Sequence, residues 1–322
     1  MADMGTASNI IQQESHKKIA TWSNTWARMK ADKFRYFLIL PGLLYFIVYK
    51  YIPIYGILAA FQKFNLIKGI SGSEWIGFRH FESMFLYGDF QSAIVNTIVI
   101  SLMKLITIYV WAIIMSLLLY ELKDSVFKKA VQTISYLPHF LSWVALYGIF
   151  MVILSPQTGS LIKLLHFIGV QAPDMFTDPR YFRWLLTLSN LWREAGWCTI
   201  IYVAALTSID PGIFEAAIID GANRLQRAWY ISIPGILPII TIMLILSIGH
   251  ILNENLEQIL QFYNPIVKPV SQVFETIVYE KGMQGMNYGY ATAVGLFQST
   301  AGLILTLFAN WASKKAGQDG LW

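Results

Sequence analysis

The stretch EAAIIDGANR, residues 215–224, is polar and helix-prone, yet it lies between two long apolar segments of the chain. Asp-Pro-Gly at residues 210–212 precedes it. This order is typical of a helix start, because Asp is a strong N-cap and Pro at the first helical position loses no needed hydrogen bond. Gly221 offers the left-handed geometry that ends a helix, and Asn223 can cap a second short helix that runs to residues 229–230. The sequence therefore predicts a helix, a glycine turn and a second helix.

Two prolines follow this helical pair, and its small side chains allow two structural interpretations. Pro234 and Pro238 are expected to disturb the start of the next apolar segment. Ala216 and Ala217 let another surface approach closely, and Glu215 adds a carboxylate at the edge. The pattern fits a docking surface for a partner, and it equally fits a re-entrant loop that packs on its own bundle. Physical chemistry alone leaves both interpretations open.

The composition indicates a membrane protein. Of the 322 residues, 56% are hydrophobic and 13% are charged, whereas soluble domains carry about 25% charged residues. Several apolar stretches reach the roughly 20 residues that a helix needs to cross the hydrocarbon core. They are too long and too continuous for the alternating strands of a β-barrel. The predicted fold class is therefore all-α, with about six transmembrane helices at residues 35–60, 93–120, 131–154, 184–206, 233–251 and 291–311.

We predict three parts along the chain: an N-terminal segment at residues 1–34, a transmembrane domain at residues 35–313 and a tail at residues 314–322. The first part is polar and lacks the apolar core of a cleavable signal peptide, so the first span acts as the insertion signal. Trp22 and Trp26 are interleaved with basic residues, which favours a short helix in the headgroup region. A partly disordered basic tail is the alternative.

The distribution of basic residues predicts the orientation in the membrane. Short segments rich in Lys and Arg stay on the cytoplasmic side. The N-terminal segment, the connections after the second and fourth spans and the tail hold most of these residues, whereas the basic residues of the other connections are fewer and more widely spread. Both termini, and residues 210–233, are therefore expected in the cytoplasm. The net charge of +5 follows from this bias and needs no nucleic acid partner.

The sequence lacks the motifs of catalysis and nucleotide binding. It contains no G-x-x-x-x-G-K-[ST] phosphate loop, no H-E-x-x-H helix and no G-x-S-x-G turn. Its five histidines are scattered, and no Cys/His cluster has the spacing of metal ligands. We therefore expect no catalytic residue, no metal site and no cofactor bound by this chain.

The spacing around the opening stretch resembles a known family motif. EAA at residues 215–217, then Gly221, then IxIP at residues 231–234 is similar to the EAA motif of ABC importer permeases, E-A-A-x3-G-x9-I-x-L-P. The one departure is Ile233, where leucine is usual, and it is conservative. In that family this element is the coupling helix, which seats in a cleft of an ATPase subunit. The resemblance implies that its core here is Glu215, Ala216, Ala217, Asp220 and Gly221.

The resemblance extends over most of the chain. Residues 37–65, 135–144 and 288–315 are similar to the carbohydrate-uptake branch of these permeases, and more narrowly to importers of polysaccharides and complex oligosaccharides, alginate importers among them. It implies the type I importer permease fold of about six helices, with the coupling helix between the fourth and fifth. It also implies alternating access, in which ATP closes two ATPase subunits and the membrane halves open outward.

The resemblance also implies partners for a chain that is itself non-catalytic. These are a second, homologous permease subunit, two ATPase subunits that use ATP and Mg, an extracytoplasmic solute-binding protein, an oligosaccharide cargo and the lipid of the bacterial inner membrane. A secondary transporter or channel driven by an ion gradient is the competing interpretation, and internally repeated halves would support it. A membrane enzyme is a third, for which the sequence shows no catalytic constellation.

Polar residues inside the spans predict a hydrophilic path, because polar groups that face hydrocarbon are costly. Arg193 and Glu194 are adjacent and point about 100° apart on a helix, so they need not pair with each other. Arg193 or Lys104 would suit the carboxylates of an acidic oligosaccharide such as an alginate fragment. A structural ion pair or a snorkelling side chain is the alternative. The candidates for the path are Lys104, Asn190, Arg193, Glu194, Asn253, Glu254, Asn255, Glu257 and Gln258.

Overall fold

The computed structural model describes residues 32–86, 88–318 and 320–321. The predicted headgroup helix around Trp22 and Trp26 lies outside these residues. The regular secondary structure of the described chain is helical apart from a two-stranded antiparallel sheet, in which β1 (Gln62–Lys63) pairs with β2 (Glu74–Trp75). The all-α class predicted from composition is thus confirmed.

The described chain divides into two compact units, with the boundary between Ile57 and Leu58. Helix α1 (Lys33–Phe46) lies in the first unit and continues through a π-helical turn at Ile47–Tyr51 into a 3₁₀ stretch at Ile52–Phe61, which runs past this boundary. Helix α1 has no buried residue, and the whole stretch is long and apolar enough to cross a membrane. It corresponds to the first predicted span.

The second unit holds the other described helices. In chain order they are α2 (Gly69–Gly72), α3 (Arg79–Leu86), α4 (Gly88–Glu121), α5 (Val126–Tyr136), α6 (Trp143–Leu154), α7 (Ser160–Phe167), α8 (Pro179–Thr207), α9 (Pro211–Ile219), α10 (Arg224–Arg227), α11 (Ile233–Gly249), α12 (Leu256–Phe262), α13 (Lys268–Ser271), α14 (Phe274–Ile277) and α15 (Tyr288–Lys315). A π-helical turn at Val278–Gln284 follows α14. Helices α4, α8, α11 and α15 are the long elements, and the shorter ones pack around them.

Within the described ranges, four helical stretches are long and apolar enough to cross a membrane, and two bent helix pairs raise the number to as many as six. The four stretches are Lys33–Phe61, Gly88–Glu121, Arg224–Gly249 and Tyr288–Lys315. One bent pair joins Val126–Phe140 to α6 at 111°, and the other joins α8 to α9 at 74°. About six spans in the predicted order therefore fit the structure if each bent pair forms one span.

The third predicted span, residues 131–154, is not one straight helix. Helix α5 passes into a 3₁₀ turn at Leu137–Phe140, and the Ser142 hydroxyl then caps α6 by accepting a hydrogen bond from the backbone N–H of Ala145 at 3.3 Å. Pro138 has no N–H with which to continue α5, and a serine cap favours a new helix start. The apolar run hides this break, because composition carries no information on direction.

The second helix of the opening stretch does not end before the fifth span. Helix α10 runs directly into a π-helical turn at Ala228–Ser232 and then into α11, so that one helical stretch continues to Gly249. Pro234 offers no N–H to the carbonyl of Tyr230, and the wider π turn takes up this interruption. Pro238 lies inside α11. The two prolines therefore modify the start of the fifth span without breaking it.

Close helix packing holds the second unit together. The largest apolar cluster brings α6, α8 and α12 together around Trp143, Phe182 and Phe262, all at most 2% exposed. Helix α8 also approaches α5 so closely that a Cβ on Gly196 would lie 2.0 Å from the carbonyl oxygen of Ser135. This contact requires glycine and sets the spacing between the third and fourth spans.

Candidate functional site

The EAA segment, residues 210–233, is shaped by local hydrogen bonds. The Asp210 carboxylate accepts a hydrogen bond from the backbone N–H of Gly212 at 2.9 Å and caps α9. Gly221 has φ +80°, the left-handed geometry predicted for it. Asn223 and Gln226 form a capping box, with hydrogen bonds of 2.9 and 2.8 Å, at the start of α10. The predicted helix, glycine turn and second helix are confirmed.

The surface of this segment is open. Helix α9 has no buried residue, and Ile213, Ile218 and Ile219 are 50%, 55% and 85% exposed. Glu215, Ala216, Asp220 and Gly221 are exposed as well, and Ala217 is partly buried. Among the described residues, the Glu215 carboxylate has no hydrogen bond or ion pair. Exposed isoleucines beside a free carboxylate favour the docking interpretation over a loop that packs on its own bundle.

The EAA segment touches the rest of the unit at the end of α4. The rings of Phe214 and Tyr120 are 5.5 Å apart. The Glu121 carboxylate lies 3.3 Å from the guanidinium of Arg227 and 3.6 Å from that of Arg224. These contacts hold the segment to the end of the second span by side chains.

A cavity of about 270 Å³ lies between α4, α8, α11 and the chain that follows α11. Helix α4 contributes a stripe at helical spacing, made of Ser101, Lys104, Leu105, Ile108, Tyr109 and Ala112. Helix α8 contributes residues four apart, namely Asn190, Glu194, Cys198 and Tyr202. The remaining lining residues are Met243, Ser247, His250, Ile251, Asn253, Glu254 and Asn255. Hydroxyl, amide and carboxylate groups thus face a common space inside an apolar bundle.

A buried ion pair forms one wall of this cavity. The Lys104 ammonium contacts the carboxylate of Glu254, and their side chains are only 9% and 5% exposed. Lys104 also donates to the Gln258 amide oxygen at 2.8 Å, and Ser101 donates to Glu254 at 2.8 Å. The Gln258 amide nitrogen in turn donates to Ser189 at 2.9 Å. This network satisfies the Lys104 charge and ties the second and fourth spans to α12.

A second ion cluster surrounds Glu194. Arg193 donates to one carboxylate oxygen at 2.7 Å, and His139 contacts the other at 2.9 Å. The expectation that Arg193 and Glu194 need not pair is therefore wrong here. Although the helix directs their Cβ atoms apart, the long arginine side chain folds back, and its guanidinium also lies 4.9 Å from the ring of Trp143. The Trp197 ring stacks on His139 at 4.4 Å.

The structure separates the predicted path residues into two groups. Six line the cavity: Lys104, Asn190, Glu194, Asn253, Glu254 and Asn255. The other three do not, since Arg193 packs behind Glu194, Gln258 is fully buried, and Glu257 is exposed on α12. Contact between the lining residues and a cargo stays a prediction.

Sequence reasoning missed several polar lining residues. Tyr109 and Ser247 form a hydrogen bond of 2.7 Å across α4 and α11, and Tyr202 lies close to Tyr109. A signal was present, because steps of three and four residues from Lys104 and Glu194 trace both stripes. The same spacing leaves Arg193 one residue off its stripe. Among the described residues, no group of His, Cys, Asp and Glu side chains could hold a metal ion.

Glu275 supports the cavity from the connection between the last two spans. Its Oε1 accepts hydrogen bonds from the backbone N–H of Glu254 at 2.9 Å and from Gln298 at 2.6 Å. Its Oε2 is buried and has no partner among the described residues. Burial raises the pKa of the Glu275 carboxyl to about 7. Glu275 thus positions the backbone of a lining residue, and its burial favours the protonated carboxyl.

Known proteins are similar to this chain over most of its length. Residues 108–318, which include the EAA segment and most of the cavity, match the model of the family described as binding-protein-dependent transport system inner membrane component. The chain is 38% identical to the polygalacturonan/rhamnogalacturonan transport system permease protein YteP of Bacillus subtilis (strain 168), over 97% of this chain and 96% of that protein. It is 39% identical to Protein LplB of the same organism, over 92% and 93%.

Solved structures are similar as well. A chain in the crystal structure of a bacterial alginate ABC transporter, in complex with an alginate pentasaccharide-bound periplasmic protein, superposes with a TM-score of 0.84. The two chains share 36% sequence identity, over 92% of this chain and 99% of that one. A second structure, of a bacterial ABC transporter involved in the import of the acidic polysaccharide alginate, gives the same TM-score at 37% identity over 91% and 99%.

Proposed function

Because this chain belongs to the family of binding-protein-dependent transport system inner membrane components, we propose that it is the permease subunit of an ATP-driven importer that carries oligosaccharides into the cytoplasm. The EAA segment carries this proposal. It presents exposed isoleucines and an unpaired carboxylate at the bent end of α8, so a partner can make both apolar and charged contacts there. The cavity between the same spans supplies the path.

The proposal assigns hydrolysis to partner subunits. Two ATPase subunits bind ATP and Mg, and each permease subunit offers its EAA segment to one of them. The bend of 74° between α8 and α9 turns the segment away from the axis of the fourth span, while α10 continues directly into the fifth. A displacement of the EAA segment therefore reaches α8 and α11, which form two walls of the cavity, through continuous backbone. Rigid helices transmit such a displacement.

The orientation follows from the same reasoning. If the ATPase subunits meet the EAA segment in the cytoplasm, four spans precede the segment and two follow it, so both termini lie on the cytoplasmic side as well. The basic residues Lys128, Lys129, Arg224 and Arg227 then lie on the positive side of the membrane. A solute-binding protein delivers cargo on the opposite face, and a second, homologous permease subunit completes the path in a heterodimer.

The cavity lining supports a polyhydroxylated cargo. Asn190, Asn253 and Asn255 offer amide groups, and Tyr109 and Ser247 offer hydroxyls, all of which exchange hydrogen bonds with sugar hydroxyls. The predicted acidic cargo needs a cation, yet Lys104 and Arg193 already have carboxylate partners. An acidic oligosaccharide, as in the alginate transporters, therefore has to find a cation elsewhere in the complex or displace one of these carboxylates.

Co-purification tests the proposal. The complex is extracted gently from its native membrane, and mass spectrometry identifies what accompanies this chain. The double variant Glu215→Ala/Gly221→Pro is expected to lose an ATPase that accompanies the natural chain. The matched control is Glu74→Ala/Gly169→Pro. Glu74 is exposed, and Gly169 shares φ +80° with Gly221 and ends α7 through a similar turn hydrogen bond of 3.0 Å.

Energy dependence separates the proposal from an ion-driven carrier. Membrane vesicles that contain the complex should accumulate oligosaccharide when ATP is supplied to the cytoplasmic face, and an ionophore should leave this uptake intact. If no ATPase accompanies the chain while other complexes survive extraction, or if the ionophore abolishes uptake in the presence of ATP, the ion-gradient carrier replaces the importer as the function.

A further inference from the structure

The three long helices around the cavity differ in how they are joined to the EAA segment. Helix α8 leads into α9 through three residues, 208–210, and α11 follows α10 through the π-helical turn. Both are therefore covalently linked to the segment at close range. Helix α4 is not, because its C-terminal end at Glu121 is followed by α5 and the third span. Only side-chain contacts can make α4 follow the EAA segment directly.

Those contacts converge on the last residue of α4. The Nη2 of Arg227 lies 3.4 and 3.3 Å from the two carboxylate oxygens of Glu121, and Arg224 adds a longer contact of 3.6 Å. The Arg227 side chain is only 14% exposed, whereas that of Arg224 is 79% exposed. Tyr120, the preceding residue, packs on Phe214 of α9. The end of α4 thus touches both helices of the segment.

The Arg227 guanidinium depends on Glu121 for its counter-ion. In the described part of the chain, Glu121 is the one carboxylate within ion-pair distance of Arg227, and the Arg227 Nε is buried without a partner. A largely buried guanidinium that loses its counter-ion is costly, so the pair resists separation when the segment moves. Arg224 is too exposed to replace it, because solvent screens exposed pairs.

We infer that Glu121 is a positioning residue for transport: through Arg227 it makes the second span move with the EAA segment, an inference that rests on the proposed function. The cavity stripe of α4 includes Lys104, which lies 17 residues before Glu121 and so about 25 Å away along a helix. Lys104 is fixed to Glu254 and Gln258. A displacement at one end of this helix therefore reaches a cavity wall that carries ion-paired and hydrogen-bonded residues.

The test compares transport with hydrolysis in the intact importer complex, reconstituted in liposomes. Oligosaccharide uptake and ATP hydrolysis are measured on the same preparation of wild type, Glu121→Gln, Arg227→Gln and the double variant. The matched control is Asp124→Asn, which removes a 92% exposed carboxylate from the same connection. We expect Glu121→Gln to keep ATP hydrolysis and to lower uptake per ATP by roughly two- to thirtyfold. The double variant should be no worse than either single variant.

A second measurement reports on the accessibility of the cavity. Cys198 is the single cysteine of the chain, and it lines the cavity. Its modification by a thiol reagent, read by mass spectrometry with and without ATP, should change in wild type and in Asp124→Asn and should change less in Glu121→Gln. A purely structural role for Glu121 would lower complex yield without altering the ratio of uptake to hydrolysis or this response.

The outcomes are distinct. If Glu121→Gln does not assemble, the charge-swapped variant Glu121→Arg/Arg227→Glu restores the attraction and should recover both assembly and coupling. A wild-type ratio and a wild-type Cys198 response in assembled Glu121→Gln, or a swapped pair that assembles without coupling, would overturn the inference. Failure of the proposed function looks different, because wild type itself would then show no ATP-dependent uptake.

Discussion

Arg193 and Glu194, adjacent on α8, form an ion pair of 2.7 Å, and His139 from the break in the third span closes on the same carboxylate at 2.9 Å. Glu194 is thereby held by two groups while it faces the cavity. The arrangement joins the third and fourth spans beside the cavity. Because the Arg193 guanidinium already has a carboxylate partner, Arg193 is less available for the carboxylates of a cargo.

Arg193→Gln tests whether this cation binds cargo or only supports Glu194. Because Arg193 does not line the cavity, we expect uptake of acidic and of neutral oligosaccharides to fall by similar factors, together with a lower melting temperature of the purified complex. Loss of one charge-assisted hydrogen bond corresponds to about 1.5–3 kcal/mol. Uptake that falls for acidic cargo alone would instead assign Arg193 to the carboxylates of the substrate.

The Lys104–Glu254 pair should behave as a buried charge pair. Lys104→Met or Glu254→Gln alone leaves an uncompensated buried charge, and the expected cost is about 3–5 kcal/mol of stability. The double variant Lys104→Met/Glu254→Gln should recover a large part of that loss in thermal denaturation of the detergent-solubilised complex. Lys163→Met, at an exposed lysine on α7, serves as the control with little expected change. A double variant less stable than both single variants would contradict this account.

The close contact between α5 and α8 predicts that alanine variants of Gly196 and Gly295 differ strongly in stability. Alanine at Gly196 would place its Cβ 2.0 Å from a backbone oxygen, so the helices must separate, at a cost of about 1–3 kcal/mol. Gly295 lies within α15 with nothing within 4 Å of such a Cβ. Gly295→Ala should therefore be neutral or stabilising by up to about 1 kcal/mol, because alanine favours helix. Melting temperatures of the two variants measure the difference, and equal values would argue against the close approach.

Glu275 predicts a pH dependence of stability. Its pKa is raised by burial from 4.5 to about 7, so the folded protein favours the protonated form. The associated stability is complete below about pH 4.5 and is lost as the pH rises through 7. Glu275→Gln keeps the shape and removes the titration, so its melting temperature should fall less than that of wild type between pH 6 and 8. Glu257→Gln, at an exposed carboxylate, should keep the wild-type profile; a Glu275→Gln profile parallel to wild type would exclude a neutral Glu275.

The sequence by itself determined the membrane class, the approximate number of spans and the EAA segment with its caps. Each of these depends on residues close together in the chain. Length and hydropathy decide whether a stretch can cross lipid, and Asp210, Gly221 and Asn223 act on backbone groups within a few positions. The family motif depends on spacing within one short run, so the residues proposed for docking could be named from it.

The tertiary structure alone decided which polar residues share a space and which neutralise one another. Lys104 meets Glu254 from 150 positions away, and His139 meets Glu194 from 55. No local pattern selects such partners, because each helix offers several polar faces and only packing determines which face meets which neighbour. The tertiary structure also decided the directions of the bends at Pro138 and after α8. An apolar run shows how many residues can lie in the membrane, but it does not show where the chain turns.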